Sequence, residues 1–364
     1  MEKISAYQLF ILTYMFQIGT TTLFGFGTEA GRDAWLATLL SSFLGSILIL
    51  LYIGLMKMNP GLTLVEWFPH HFGKVIGIPL AWLYPLIFLF DAGRIVGDLR
   101  DLIPTTLLPT TPPIMFNTLF LVLVAFGLYL GIESLARVGE IIFPLLMFLL
   151  GIEIILLFSS QILNFNNFLP FMEKGFSRVW KATFPVGILQ TYGETIALAM
   201  IWTQASNPKS ILKVTLIASL ISGVLLALSV GLTISAFGEE LYMQNIYPIY
   251  HLHQVIDVAD FINNLNVFGV IYFTTTIFFK LYIKAAAGLI AIQYLTRMKD
   301  YRPMIIPAMI IILFIGLTVS ENVIEHIYEL SFKYVNRYVW FVLFIILPFL
   351  LFVVSTIRHK RVKE

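Results

Sequence analysis

A chain of 364 residues that is 59% hydrophobic, only 12% charged and has a mean hydropathy of +0.88 carries too much apolar surface for a soluble fold and reads as an integral membrane protein. A net charge of +2 gives no reason to expect a nucleic-acid partner. The absence of cysteine excludes disulfides, thiolate metal sites and cysteine nucleophiles.

The first element begins at "MEKISAYQLF", which leads into an apolar run too long for a signal-peptide core and without a convincing small-residue cleavage site. It is therefore expected to be a retained span. A helix that crosses a bilayer needs about 20 mostly apolar residues. Such runs follow one another near 5–28, 34–57, 77–103, 113–131, 139–160, 183–204, 211–237, 267–295, 303–320 and 336–357. They predict an all-α integral membrane protein with ten transmembrane helices, forming a single membrane domain over 1–364 and embedded in the lipid bilayer. In the break after span five, "FLPFMEKGFSRVWKATF" sets Phe168, Phe171, Phe176 and Trp180 among charges, the composition of an interfacial helix.

Ten spans place both termini on one side of the membrane. That side collects Lys3, Lys57, Lys74, Arg137, Lys209, Lys213, Arg297, Lys299, Arg302, Arg358, Lys360, Arg361 and Lys363. The other side has Arg32, Lys174, Arg178, Lys181, Lys333 and Arg337, joined by Arg94 and Arg100 if the end of span three is counted. Acidic residues lean the opposite way, with Glu239, Glu240, Asp257, Asp260, Glu321, Glu325 and Glu329 on that other side. The positive-inside rule then predicts that both termini are cytoplasmic.

Ten spans also divide five plus five, with repeat one over about 5–160 and repeat two over about 183–357. An odd-numbered repeat inserts its two copies in opposite orientations, and the binding site of such transporters is marked by interrupted spans at corresponding positions. Span one contains "QIGTTTLFGFG" and span six "TFPVGILQTYGETIALAM", so helices one and six are expected to be broken. Unwound backbone is tolerated at membrane depth only where it lines a cavity or meets protein. Half-helix N-termini attract a carboxylate, and exposed carbonyls attract an ammonium or a cation. Gln17, Gly19, Thr20 and Thr21 from the first break, with Gly187, Gln190, Thr191 and Glu194 from the second, are the candidate ligand-binding residues. The same small residues also serve close packing of membrane helices.

Ionisable side chains inside spans are functional hypotheses by default. Asp91, Glu153, Glu194 and Lys280 lie near the midpoints of spans three, five, six and eight and are candidates for ion or proton coupling. Asp91 and Arg94 are spaced for an intrahelical pair. Glu153 has no charged neighbour in its own span, so it either meets a cation from another helix or is protonated. Lys284, one turn beyond Lys280, is expected to snorkel toward the cytoplasm. In span eight, Thr274, Thr275 and Thr276 echo the threonines of span one; Thr275 and Thr276 join the candidate binding residues, although such hydroxyls also bond their own helix. Tyr84 and Phe88, together with Tyr192 and Tyr272, are candidate aromatic walls.

No enzyme signature is present. His70, His71, His251, His253, His326 and His359 fall in breaks or near the terminus, and neither HExxH nor a nucleophile elbow occurs. "YHLHQVID", with His251, His253 and Asp257, reads as a solvated loop rather than a weak metal site. No cofactor is expected.

Three stretches carry a family resemblance: "ISAYQLFILTYMFQIGTTTLFGFGTEAGRDAWLATLL", "LPTTPP" after span three, and "GIESLARVGEIIFPLL" leading into span five. With Asp33–Trp35 and Thr111–Pro112, their order resembles the B subunits of bacterial endospore germinant receptors. These are spore-permease proteins of the amino acid–polyamine–organocation transporter superfamily. The resemblance covers essentially the whole chain. It implies a broken-helix inverted repeat in the spore inner membrane, a small nutrient ligand such as an amino acid, and partner A and C subunits. By position, Gly19 matches the glycine of span one and Glu194 the acidic residue of span six. Span three departs, because Gly97 stands where relatives often have arginine and Arg94 comes three residues earlier. The expectation is a nutrient-sensing receptor subunit. A proton-coupled amino acid permease and a pore-lining subunit of a nutrient-gated channel remain alternatives.

Overall fold

The computed structural model describes residues 3–258, 262–263 and 266–361. Asp260 and Lys363 lie outside them, as do the side chains of Asp257, His359, Lys360 and Arg361. Among the described residues the regular structure is helical apart from a small hairpin, β1 (Asp257–Val258) with β2 (Ile262–Asn263).

Local signals set several boundaries. α1 (Ala6–Ile18) starts from a capping box in which Ser5 and Gln8 satisfy each other's backbone N–H. It stops at Gly19, well short of the end of the expected span 5–28. α2 (Ala34–Met58) follows a short 3-10 segment, Thr28–Asp33. α3 (Leu64–Thr106) begins earlier than the hydropathy suggests, because Thr63 and Glu66 form a second capping box. A kink at Gly73 separates its first turns from the apolar length. α4 (Pro113–Leu130) and α5 (Ile132–Ser159) complete the first half.

After α5, the short α6 (Phe176–Ala182) occupies the expected interfacial stretch. Val179 and Ala182 are buried while Phe176, Trp180 and Phe184 are exposed in a row, Trp180 stacked on Phe184 and tilted against Phe176. The sixth expected span is not a continuous helix. A π-type turn (Thr183–Gly187) is followed by one α-turn, α7 (Ile188–Thr191), and then by 3-10 structure over Gly193–Met200. α8 (Ile211–Gln244) continues past a kink at Gly238. The small α9 (Pro248–Gln254) and the hairpin lead into α10 (Asn266–Thr296), then α11 (Ile305–Thr318). A long π-type segment (Glu325–Ile346) runs into α12 (Leu347–Arg361).

Among the described residues, seven helices are long and apolar enough to cross a membrane, and α1 and α11 are shorter apolar helices. α10 is the axis of the assembly: 83% of its most apolar stretch is buried, against 17% for α5, which faces outward. α10 packs most extensively on α3, and α2 packs on α8.

Candidate functional site

The first break and α10 meet at one residue. Gly19 caps α1 with φ +26°, a left-handed conformation that glycine adopts without a Cβ penalty. A Cβ built there overlaps the Lys280 side chain. Position 19 therefore needs glycine for both conformation and space. Beyond it the chain turns through i→i+3 hydrogen bonds, Thr21 N to Ile18 O at 2.8 Å and Leu23 N to Thr20 O at 3.1 Å. The freed Gly19 carbonyl accepts from the Thr276 hydroxyl at 3.2 Å. The two breaks also touch directly, through Thr21 Oγ1 and Thr191 Oγ1 at 3.2 Å.

Glu194, in the 3-10 part of the second break, faces both lysines of α10. Lys280 Nζ lies 3.3 Å from Oε1 and Lys284 Nζ 2.9 Å from Oε2. Lys284 reaches Asp91 of α3 as well, at 2.7 Å. Asp91 also accepts from the Trp340 indole N–H at 3.1 Å and pairs with Arg94 at 3.7 Å. Arg94 donates to Ser331, and one turn along α3 Asp98 meets His326 Nε2 at 2.8 Å. The Lys284 ammonium is ringed by Phe16, Phe88, Trp340 and Phe344, with centroids 5.5–5.8 Å away, a geometry that adds cation–π attraction. Asp91, Glu194, Lys280, Lys284 and Arg94 thus each have an opposite charge beside them, and Asp98 has the His326 ring nitrogen, the condition for tolerating them away from water.

This network borders a cavity of about 30 Å³, walled by Thr20, Phe24, Asp91, Arg94, Gln190, Glu194, Lys280 and Asn336, among others. Such a volume holds a water molecule or two. Small-molecule pockets run to roughly 300–1,000 Å³, so the centre is closed in this conformation.

Of the sequence-predicted residues, Thr20, Gln190, Asp91, Glu194 and Lys280 line this cavity. Gly19 sits behind Lys280, and Thr21, Thr191 and Thr276 tie the breaks to each other and to α10. Others serve elsewhere. Gln17 is spent on Thr195, Ser219 and Ser222, a polar tie between α1, the second break and α8. The Tyr84 hydroxyl donates to the Leu343 carbonyl at 2.8 Å, with its ring packed between Phe68 and Phe88. Phe88 reaches the site only through Lys284. Gly187 is buried against Ser41 of α2, and Thr275 is half-buried and borders neither the central cavity nor the larger one beside it.

Two expectations need correction. Lys284 does not snorkel, because two carboxylates hold its ammonium inside. His253 is not in a solvated loop: it is buried on α9, 2.9 Å from Glu153, and is the partner from another helix that Glu153 lacks in its own span. His253 Nδ1 lies 2.6 Å from the Ile249 carbonyl and must donate to it. A proton must then also lie between Nε2 and the carboxylate. His253 is outside the membrane-spanning helices; burial disfavours its charge, but Glu153 and the Ile249 carbonyl outweigh this and raise its pKa above the ordinary value.

Sequence reasoning missed Trp340, Ser331 and the role of His326. The spacing of Asp91, Arg94 and Asp98 on one face of α3 was the available signal that partners waited there. His326 also explains the departure at Gly97, since a Cβ there would come within 2.8 Å of the imidazole. The ring fills the space that a side chain on α3 would need.

Residues 3–324 match the family model of the spore germination proteins known as spore permeases. Spore germination protein KB of Bacillus subtilis (strain 168) is 30% identical over 363 residues, covering 99% of this chain and 97% of that protein. Spore germination protein XB of Bacillus anthracis is 24% identical over 262 residues, 70% of each chain. Spore germination protein B2 of Bacillus subtilis (strain 168) is 28% identical over 188 residues, 50% of this chain and 49% of that one. The chain belongs to the spore germination (spore permease) family.

Proposed function

We propose that this chain is the nutrient-sensing membrane subunit of a spore germinant receptor. In this reading it sits in the spore inner membrane with both termini cytoplasmic, as ten spans in a five-plus-five inverted repeat, alongside A and C subunits. A small nutrient, such as an amino acid, binds where the two breaks face α10. The observation that carries the reading is the contact between the broken segments and the lysines of α10, around a closed polar cavity.

The physical logic is an exchange of partners. A ligand ammonium competes with Lys280 for Glu194, while the Arg94 guanidinium, whose Nε has no hydrogen-bond partner among the described residues, is available to a carboxylate. Thr20, Thr21, Gln190 and Thr191 complete the walls. Because the resting cavity holds only water-sized groups, binding must open the network, and Asp91, Lys284 and Trp340 carry that change toward α3 and the Glu325–Ile346 segment. A ligand shifts such an equilibrium only by its difference in affinity for the two states.

Gly19→Leu tests the assignment. The variant is expected to accumulate in the membrane and to lose the germination response across a nutrient titration, since leucine would occupy the space of Lys280. Normal accumulation with a normal response would remove Gly19 from the site.

A further inference from the structure

Beside the closed centre lies a much larger cavity, of about 510 Å³. Gln190 and Phe332 belong to the walls of both, so the two spaces are separated by those side chains. The wall carries Lys181, Lys333 and Arg337, and Glu29 is its one carboxylate among the described residues.

The state of these cations is unusual for this face of the molecule. Nearby Arg32, Lys174 and Arg178 all converge on Glu239, at 2.8, 3.6 and 2.5 Å. Lys181, Lys333 and Arg337, by contrast, form no ion pair among the described residues. They are exposed, and they surround a concavity large enough for a small organic molecule. A low-dielectric concavity lined by one sign of charge focuses the field and concentrates counter-ions within it. The central cavity offers no such excess, since its carboxylates and cations pair with one another.

We infer that this outer cavity is a second small-molecule site, selective for a small carboxylate anion, separated from the central cavity by Gln190 and Phe332. The lysines supply point charge and Arg337 a planar fork for a carboxylate. The inference stands on the charge and shape of this cavity and holds whatever the central cavity binds. The same chemistry would accept the headgroup of an anionic lipid, and the experiment separates the two sources.

The chain has no cysteine, so Val186→Cys, a near-isosteric change in the cavity wall, introduces a single thiol. The variant is placed in nanodiscs of phosphatidylcholine. Its modification is timed with an anionic (sulfonatoethyl) and a cationic (trimethylammonioethyl) methanethiosulfonate, each normalised to its rate with a free thiol. The anionic reagent is expected to react about tenfold faster, and glutarate to slow both reagents saturably. Lys333→Gln with Arg337→Gln should bring the ratio close to unity and abolish protection. Lys181→Gln alone should weaken protection partially, and thermal unfolding of each variant checks that the fold is kept. Absence of glutarate protection would overturn the inference, as would protection unchanged by the double substitution. Protection found without glutarate, only in discs containing phosphatidylglycerol, would also overturn it by assigning the charge to a lipid headgroup.

Discussion

The Lys284 network and the Glu153–His253 pair are both buried ionic contacts between segments far apart in sequence, but they are built differently. Lys284 is held by two carboxylates from two elements, and Asp91 has three partners of its own. Among the described residues Glu153 is ion-paired with the His253 imidazole alone, which a short peripheral helix presents. Breaking one contact in the first leaves charges that still have alternatives nearby; removing one proton from the second leaves a ring lone pair facing a carboxylate. The first is a multi-element lock suited to being opened by a competing ligand. The second is a two-point latch governed by protonation.

The largest effect should come from Lys284→Met, which takes the shared cation from two carboxylates at once and leaves Asp91 to Arg94 and Trp340 and Glu194 to Lys280 at 3.3 Å. The expected loss is about 3–5 kcal/mol, the usual cost of removing one partner of a buried pair, read as a fall in thermal stability of the detergent-solubilised protein. Lys280→Met should cost less, because Glu194 keeps Lys284. Glu194→Gln with Lys280→Met should recover stability relative to Glu194→Gln alone; strictly additive losses would mean that the two residues do not interact.

Next in size is Gln17→Leu. It removes the bonds to Thr195, Ser219 and Ser222, leaving buried hydroxyls short of a partner at about 1–3 kcal/mol. Because Gln17 lies away from the cavity, the concentration of nutrient that gives half-maximal response should not move. A clear shift in that concentration would return Gln17 to the binding site.

The smallest effect separates the two charge sites by pH. The pKa of His253 is raised on folding, so its stabilisation is fully present below the ordinary histidine value and is lost as pH rises through the raised one. Stability should therefore decline as pH rises through that raised value. Glu153→Gln should flatten that decline, since a side-chain amide can donate to the neutral ring. An unaltered pH profile in Glu153→Gln would show that the latch does not titrate there.

What could be read in the sequence follows the same division. Gly19 and the threonines after it mark a break because nothing about a lipid-facing helix calls for them. Glu194 and Lys280 stood out as isolated charges at mid-span. Lys284 did not, since one helix viewed alone offers snorkelling as a sufficient account and the second carboxylate comes from α3. His253 and His326 were hidden for a related reason. Each lies in a polar stretch between apolar runs, and only tertiary packing brings it against a carboxylate. The beginning of the last element at Glu325 rather than near 336 has the same origin: "EHIYELSFKYVNR" is too polar to read as a span, yet His326, Ser331 and Asn336 are buried.

The central claim is that the cavity between the broken segments and α10 senses a nutrient without transporting it. The most direct measurement is made on the purified chain. Saturable binding of labelled amino acids is measured in nanodiscs and uptake in proteoliposomes, for the native protein, Gly19→Leu and Glu194→Gln. The account predicts binding by the native chain, its loss in both variants, and no concentrative uptake. Net uptake driven by an imposed proton gradient, and abolished by Glu194→Gln or Glu153→Gln, would contradict it and make the chain a permease.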